Sequence, residues 1–210
     1  IKRIEDQLSS SVYSEQTALV LEEQLRPDRS RVAPGLEPQV SVESIVHGGT
    51  IRHLCVTDRL KSTNPFREAG LLLPSTLPPG DQNDITELTD RALRAVGFSH
   101  GMAHTEFMLT PDGPQIIEVN GRPGGAIPML MTLAGHRDPL IDLGMVATGQ
   151  QPLAIDAFEA TAFMSMLYPD DLERTRTLDG HREVLENMPG IAACYPLVDR
   201  LNDEEDTTAS

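Results

Sequence analysis

The stretch His104-Thr-Glu106-Phe-Met-Leu-Thr-Pro-Asp-Gly-Pro-Gln-Ile-Ile-Glu118-Val-Asn120 constrains the fold more than any other part of the chain. Pro111-Asp112-Gly113 has the chemistry of a hairpin loop, a type I turn closed by a glycine in the left-handed region, which makes Thr110 and Pro114 the facing pair. Phe107 is then expected opposite Ile117, Thr105 opposite Val119 and Met108 opposite Ile116. Glu106 lands opposite Glu118, and His104 opposite Asn120. Side chains alternate between the faces of a strand. One face therefore carries Phe107, Leu109, Ile117 and Val119, a core. The other carries His104, Glu106, Glu118 and Asn120, with Met108 and Ile116 among them.

Two carboxylates directly opposed on a sheet repel and cost stability unless something offsets the charge. Three readings are open. The face could point into water, where the charges matter little. The acids could share one proton and do acid–base work. Or a divalent cation could lie between them, since Mg²⁺ takes hard oxygens, usually one or two carboxylates plus substrate phosphates. The Asn120 amide oxygen and the following Gly121-Arg122-Pro123-Gly124-Gly125 suit the metal reading best. Arg122 can fork onto a phosphate or a carboxylate. The glycines allow a ligand close to the backbone.

Composition narrows the partners. Lys and Arg total 17 against 32 Asp and Glu, a net charge of -15 over 210 residues. That balance argues against nucleic acid and against an anionic membrane surface. The two cysteines, Cys55 and Cys194, form no CxxC pair and no disulfide framework, which fits a reducing, cytoplasmic setting. The chain starts with Ile rather than Met, without a charged-then-apolar leader, and reads as cut from something longer.

Along the chain, residues 1–8 read as a helical turn and 18–21 as a strand running into Glu22-Glu23. Residues 26–38 read as an exposed loop. Val40, Val42 and Val46 alternate with polar positions, Gly48-Gly49 marks a turn, and residues 51–56 return, so 40–57 is expected to be a hairpin. Residues 71–73 begin another strand. Ile85, Leu88, Leu93 and Val96 predict a helix over 81–96, stopped by Gly97. Residues 128–133 and 139–148 read as helical. Beyond residue 152, residues 154–167 are apolar and strand-like, 170–186 are charged and 191–198 apolar again.

The strand pair ending in Glu118-Val-Asn120-Gly-Arg122 resembles the magnesium hairpin of the ATP-grasp superfamily. Within it, the resemblance is to the carboxylate–amine or carboxylate–thiol ligases, whose usual pattern is a Glu on the first strand and Glu-x-Asn-x-Arg on the second. The resemblance spans roughly residues 15–150, and residues 104–125 are its most specific part. It implies that Glu106, Glu118 and Asn120 hold Mg²⁺ (Mn²⁺ being an admissible substitute) against the phosphates of ATP. Arg122 would steady the acyl phosphate or the carboxylate substrate. Val20-Leu21-Glu22-Glu23-Gln24-Leu25 is similar to the family's hinge, where the backbone at Glu23 and Leu25 would pair with the adenine edge and Glu22 would belong to the same segment. Gln39 stands where the family often has a Glu on the ribose hydroxyls. Pro65-Phe66-Arg67-Glu68 is similar to the amino-acid-ligase branch and would put Glu68 near the amino end of the substrate.

The expectation is an α+β chain with a mostly antiparallel sheet flanked by helices. Residues 1–152 would form the ATP-grasp C-terminal lobe, 153–202 a small appendage and 203–210 a disordered acidic tail. The implied activity is ATP-dependent activation of a small-molecule carboxylate for attack by an amine. The alternatives are a carboxylase or carbamoyl-phosphate-type member, or a non-catalytic nucleotide-binding or assembly module. The family's glycine-rich lid and phosphate-binding lysines precede the hinge, and neither Lys2 nor Lys61 replaces them. The missing N-terminal half is thus an implied partner, and the piece alone is expected to turn over little or nothing. A homo-oligomer is left open.

Three weaker candidates complete the reading. His100 and His104 have a spacing that would suit zinc on a helix but not on a strand. Glu43 is either a surface charge on its alternating strand or a site residue. Arg52, Arg59 and Arg67 could each reach a phosphate, and no spacing singles one out.

Overall fold

A computed structural model describes residues 22–62, 67–154, 157–166, 184 and 186–194. The expected turn at 1–8, the strand at 18–21, Pro65-Phe66, most of the charged 170–186 segment and the tail lie outside the described residues, as does part of each apolar run beyond 153.

Among the described residues, one antiparallel sheet of six strands organises the fold, in the order β5-β4-β1-β2-β3-β6. Its centre is a long hairpin of β1 (Leu36–His47) and β2 (Thr50–Leu60). Gly48 and Gly49 both take positive φ, +57° and +77°, as a two-residue turn with the right twist requires. β1 starts inside the segment expected to be loop. β4 (Gly101–Thr110) pairs with the other side of β1, and β5 (Gly113–Asn120) closes that edge. β3 (Gly70–Leu73) lies against β2, and β6 (Ala162–Ser165) forms the far edge. The strand beyond residue 153 thus extends this same sheet.

α1 (Pro79–Ala95) begins at a proline, tolerated where the first N–H groups have no helical partner, and ends before Gly97 at φ +68°. Ile85, Thr89 and Leu93 recur one turn apart and are buried. Ile85 packs on the Val40, Val42, Val56, Phe107 and Leu109 face, and Leu93 on Val46 and Ala103. α2 (Ile127–Leu133) and α3 (Pro139–Ala147) cover one end of the opposite face, where Ile127, Leu130, Met131 and Val146 meet Ile45, Leu71, Leu73 and Met102. Beyond that apolar end, the strand positions on the same face are Gln39, Ser41, Glu43, Thr57, Arg59, His104 and Glu106. The sheet is therefore apolar under α1 and half polar behind.

The β4–β5 hairpin differs from expectation in two ways that cancel at the acids. The loop is the two-residue Pro111-Asp112, with Thr110 facing Gly113, so Phe107 faces Ile116 and Met108 faces Gln115. A bulge between Glu106 and Phe107 then adds one residue on β5 and restores the expected pairs Glu106–Glu118, Thr105–Val119 and His104–Asn120. Phe107 and Leu109 are fully buried, but Ile117, expected in the core, is 39% exposed on the bulged edge strand.

Candidate functional site

The polar half-face is held by a chain of ionic contacts across three strands. Glu43, on β1, is completely buried. Its Oε1 is bonded to His104 Nδ1, and its Oε2 accepts from the Gly124 N–H at 3.2 Å. The other ring nitrogen, His104 Nε2, lies 3.0 Å from Glu106 Oε1. That oxygen also accepts from Arg59 Nη2 at 2.7 Å, while Gln39 Nε2 donates to Glu106 Oε2 at 2.8 Å. Arg59 Nη1 goes on to Glu68. The order is Glu43, His104, Glu106, Arg59, Glu68: acid and base alternate.

Alternation sets the protonation states. Burial disfavours a charged imidazole, but the bonds to Glu106 and Glu43 outweigh it and raise the His104 pKa to about 9. The Glu106 pKa is lowered, first by the bond from His104 and then by the Arg59 charge, against the opposing effect of burial. Nearby Cys55 is pushed up to about 12 by burial and by the charge of Glu43, so its thiol is inert at neutral pH.

Glu118 is exposed on the edge strand, directly across from Glu106, and its Oε1 accepts from Asn120 Nδ2 at 2.8 Å. Arg122 is exposed and donates from Nη1 to its neighbour's carbonyl, Pro123 O, at 3.1 Å. It stands on the loop that Glu43 anchors through Gly124, and among the described residues no hydrogen bond joins it to the acids. Glu22 and Glu23 are exposed and Leu25 half-buried on a segment without helix or strand. Its backbone makes no hydrogen bond to another described residue until the Asp28 N–H reaches Leu109 O at 2.8 Å.

The structure thus brings Gln39, Glu68 and Glu106 into one network, Glu68 through Arg59 and Gln39 by its own bond to Glu106. It pairs Glu106 with Glu118, which accepts from Asn120, and leaves Arg122 and the 22–25 segment apart. Among the described residues no group of three or more His, Cys, Asp or Glu is gathered as a metal cage. Two opposed carboxylates and one amide are instead a sparse hard-oxygen set, the kind Mg²⁺ completes with water and phosphate oxygens. The residues fit that ion.

No protein-family model matches the chain. It is 34% identical over 93 residues to carnosine synthase 1 of Gallus gallus, covering 44% of this chain and 10% of that protein. Against carnosine synthase 1 of Mus musculus it is 31% identical over 114 residues, 53% of this chain and 14% of the relative. The chain therefore spans a small part of these relatives. Among solved structures, an L-amino acid ligase from Bacillus licheniformis superposes with TM-score 0.53 at 21% identity, over 64% of this chain and 34% of that one. A phosphoribosylglycinamide synthetase from Anaerococcus prevotii gives TM-score 0.54 at 15% identity, over 61% and 34%. It has the fold of an ATP-grasp lobe.

In this lobe, the sequence leaves Glu43 as a surface charge or a site residue and singles out none of the arginines, whereas the structure bonds Glu43 to His104 and Arg59 to Glu106. One signal was available for Glu43. The Gly48-Gly49 turn sets the alternation of β1, and the face opposite Val40 and Val42 must carry Gln39, Ser41 and Glu43. What no local pattern shows is that β4 lies beside β1 and sets His104 against Glu43.

Proposed function

We propose that this lobe is the C-terminal part of an ATP- and Mg²⁺-dependent ligase that activates a carboxylate as an acyl phosphate for attack by an amine. The observation that carries the reading is the direct opposition of Glu106 and Glu118, with Asn120 beside them, on the polar half of a sheet with an ATP-grasp fold. Glu106, Glu118 and Asn120 would hold Mg²⁺, or Mn²⁺ in its place. The ion supplies charge neutralisation for the phosphates of ATP. The hinge segment at Glu22, Glu23 and Leu25 would take the adenine edge, and Gln39 the ribose. Arg122 would swing from Pro123 O to orient the acyl phosphate. Glu68, beyond Arg59, would face the amino end of the substrate. These residues position and neutralise; none is asked for covalent chemistry.

The names of the relatives favour an amino acid as one substrate. A preceding segment of the same protein would supply the lid and the phosphate-binding lysines. Two free thiols, Cys55 and Cys194, suit a cytoplasmic protein, and among the described residues no helix is long and apolar enough to cross a membrane.

The test is Mg²⁺-dependent ADP release by the full-length protein, with Glu106→Gln and Glu118→Gln. Each variant is expected to lose at least about a hundredfold in kcat, the scale of losing a transition-state charge contact. Retention of wild-type ADP release by both would end the proposal.

A further inference from the structure

Glu43 has no part in the ligand set just proposed, yet it is the most completely buried carboxylate of the polar face. Burying a charge is costly unless partners satisfy it. Both of its oxygens are used, and each leads to a different part of the site. Through Oε1 it holds Nδ1 of His104, whose Nε2 is 3.0 Å from Glu106 Oε1. Through Oε2 it accepts the Gly124 N–H at 3.2 Å, in the loop that carries Arg122. The loop is seated so closely that a Cβ on Gly124 would lie 2.6 Å from Glu43 Oε1 and 2.7 Å from His104 Nδ1. Only glycine lets that backbone reach the carboxylate.

We propose that Glu43 is a positioning residue of this site: through His104 it fixes the orientation of Glu106, and through the Gly124 N–H it fixes the loop bearing Arg122. The inference rests on the metal reading of Glu106 and Glu118. His104 has two ring nitrogens and a carboxylate on each, so its plane, and with it the side-chain angle of Glu106, is set from the buried side. The same carboxylate ties the end of β5 to the centre of the sheet. A cation-binding acid on β4 and an anion-binding arginine after β5 thereby share one internal anchor on β1.

The experiment measures Mn²⁺ binding by electron paramagnetic resonance, and thermal unfolding, on the full-length protein. Glu43→Gln keeps the shape and one acceptor oxygen and removes the charge. Mn²⁺ affinity is expected to fall about 10- to 100-fold, the usual cost of losing a partner behind a metal ligand. Glu43→Gln and His104→Gln combined should weaken binding no further than the worse single variant, because both break one path. Wild-type Mn²⁺ affinity in folded Glu43→Gln, with only a lower Tm, would make the residue structural and overturn the proposal. Should Glu43→Gln not fold, Gly124→Ala pushes the carboxylate aside by a methyl; it is expected to weaken Mn²⁺ similarly, and unchanged affinity there overturns the proposal. Unchanged affinity in Glu106→Gln would instead remove the metal reading itself, and this proposal with it.

Discussion

Both ring nitrogens of His104 face carboxylate oxygens, so both must donate and the ring is an imidazolium. Its pKa, about 9 in the folded chain, stands above the ordinary histidine value of roughly 6.5. The folded state therefore holds a proton that the unfolded state releases between those two values. The stabilisation is complete below about pH 6.5 and is lost as pH rises toward 9, at no more than about 1.4 kcal/mol per pH unit for one proton. Urea unfolding without divalent ions at pH 6, 7.5 and 9 should show this decline, and His104→Gln should flatten it. A slope of the opposite sign in that window would contradict the assigned charge. Arg59 gives a second residue-scale test. It is the cation shared by Glu106 and Glu68 and is only 13% exposed. Arg59→Met should cost about 1–3 kcal/mol, the penalty of removing the cation that Glu106 and Glu68 share. Mg²⁺ should restore part of that loss, because an ion at Glu106 replaces the missing charge. If Mg²⁺ stabilises wild type and Arg59→Met equally, Glu106 does not bind it.

At the scale of elements, β3 and β6 meet at Gly70, where φ is +147° and a Cβ would fall on the Met164 carbonyl oxygen. Gly70→Ala must part the two strands. We expect about 1–3 kcal/mol of destabilisation and faster hydrogen exchange at residues 162–165, with β1 and β2 still protected. Uniform protection would show that β6 docks without that close approach. Asp58 makes a comparable anchor between β2 and the approach to α1. It is 1% exposed, accepts from the Thr76 N–H at 2.7 Å and from Thr76 Oγ1 at 2.8 Å, and is bonded to Ser75 Oγ. These elements also mark how far the sequence could be read. The β1–β2 hairpin, α1 and the two helices after residue 126 were legible because turn residues and apolar periods are local. The Glu106–Glu118 pairing was legible although its turn was misread, since the bulge on β5 replaced the residue that the shorter loop removed. Ile117 was misplaced by the same bulge. The Glu43–His104 and Arg59–Glu106 contacts join strands far apart in the chain, and alternation gives a face without giving a neighbour.

At the scale of the molecule, coverage and charge decide what this chain does by itself. α1 backs one face of the sheet, while α2 and α3 reach only one end of the other. Glu118 and Arg122 are exposed, so under the proposed function a phosphate tail on Glu106 and Glu118 would meet the described residues mainly from the sheet side. The chain carries a net charge of -15, and its lysines are Lys2 and Lys61 alone. An ATP molecule approaching without a cation is repelled by that field. Even with Mg²⁺ bound, in-line attack requires the reacting groups to be held from more than one side, which contributes up to roughly 7–11 kcal/mol in well-oriented systems. The 210-residue chain on its own is therefore expected to bind Mn²⁺ through Glu106 and Glu118, to take up nucleotide only when the ion is present, and to release no ADP above background. Electron paramagnetic resonance with and without ADP measures the first two, and a coupled assay the third, beside the full-length protein. Turnover by the chain alone at the full-length rate would mean that the sheet and its helices already enclose the reacting groups, and that the exposed half of the polar face is not where ATP lies.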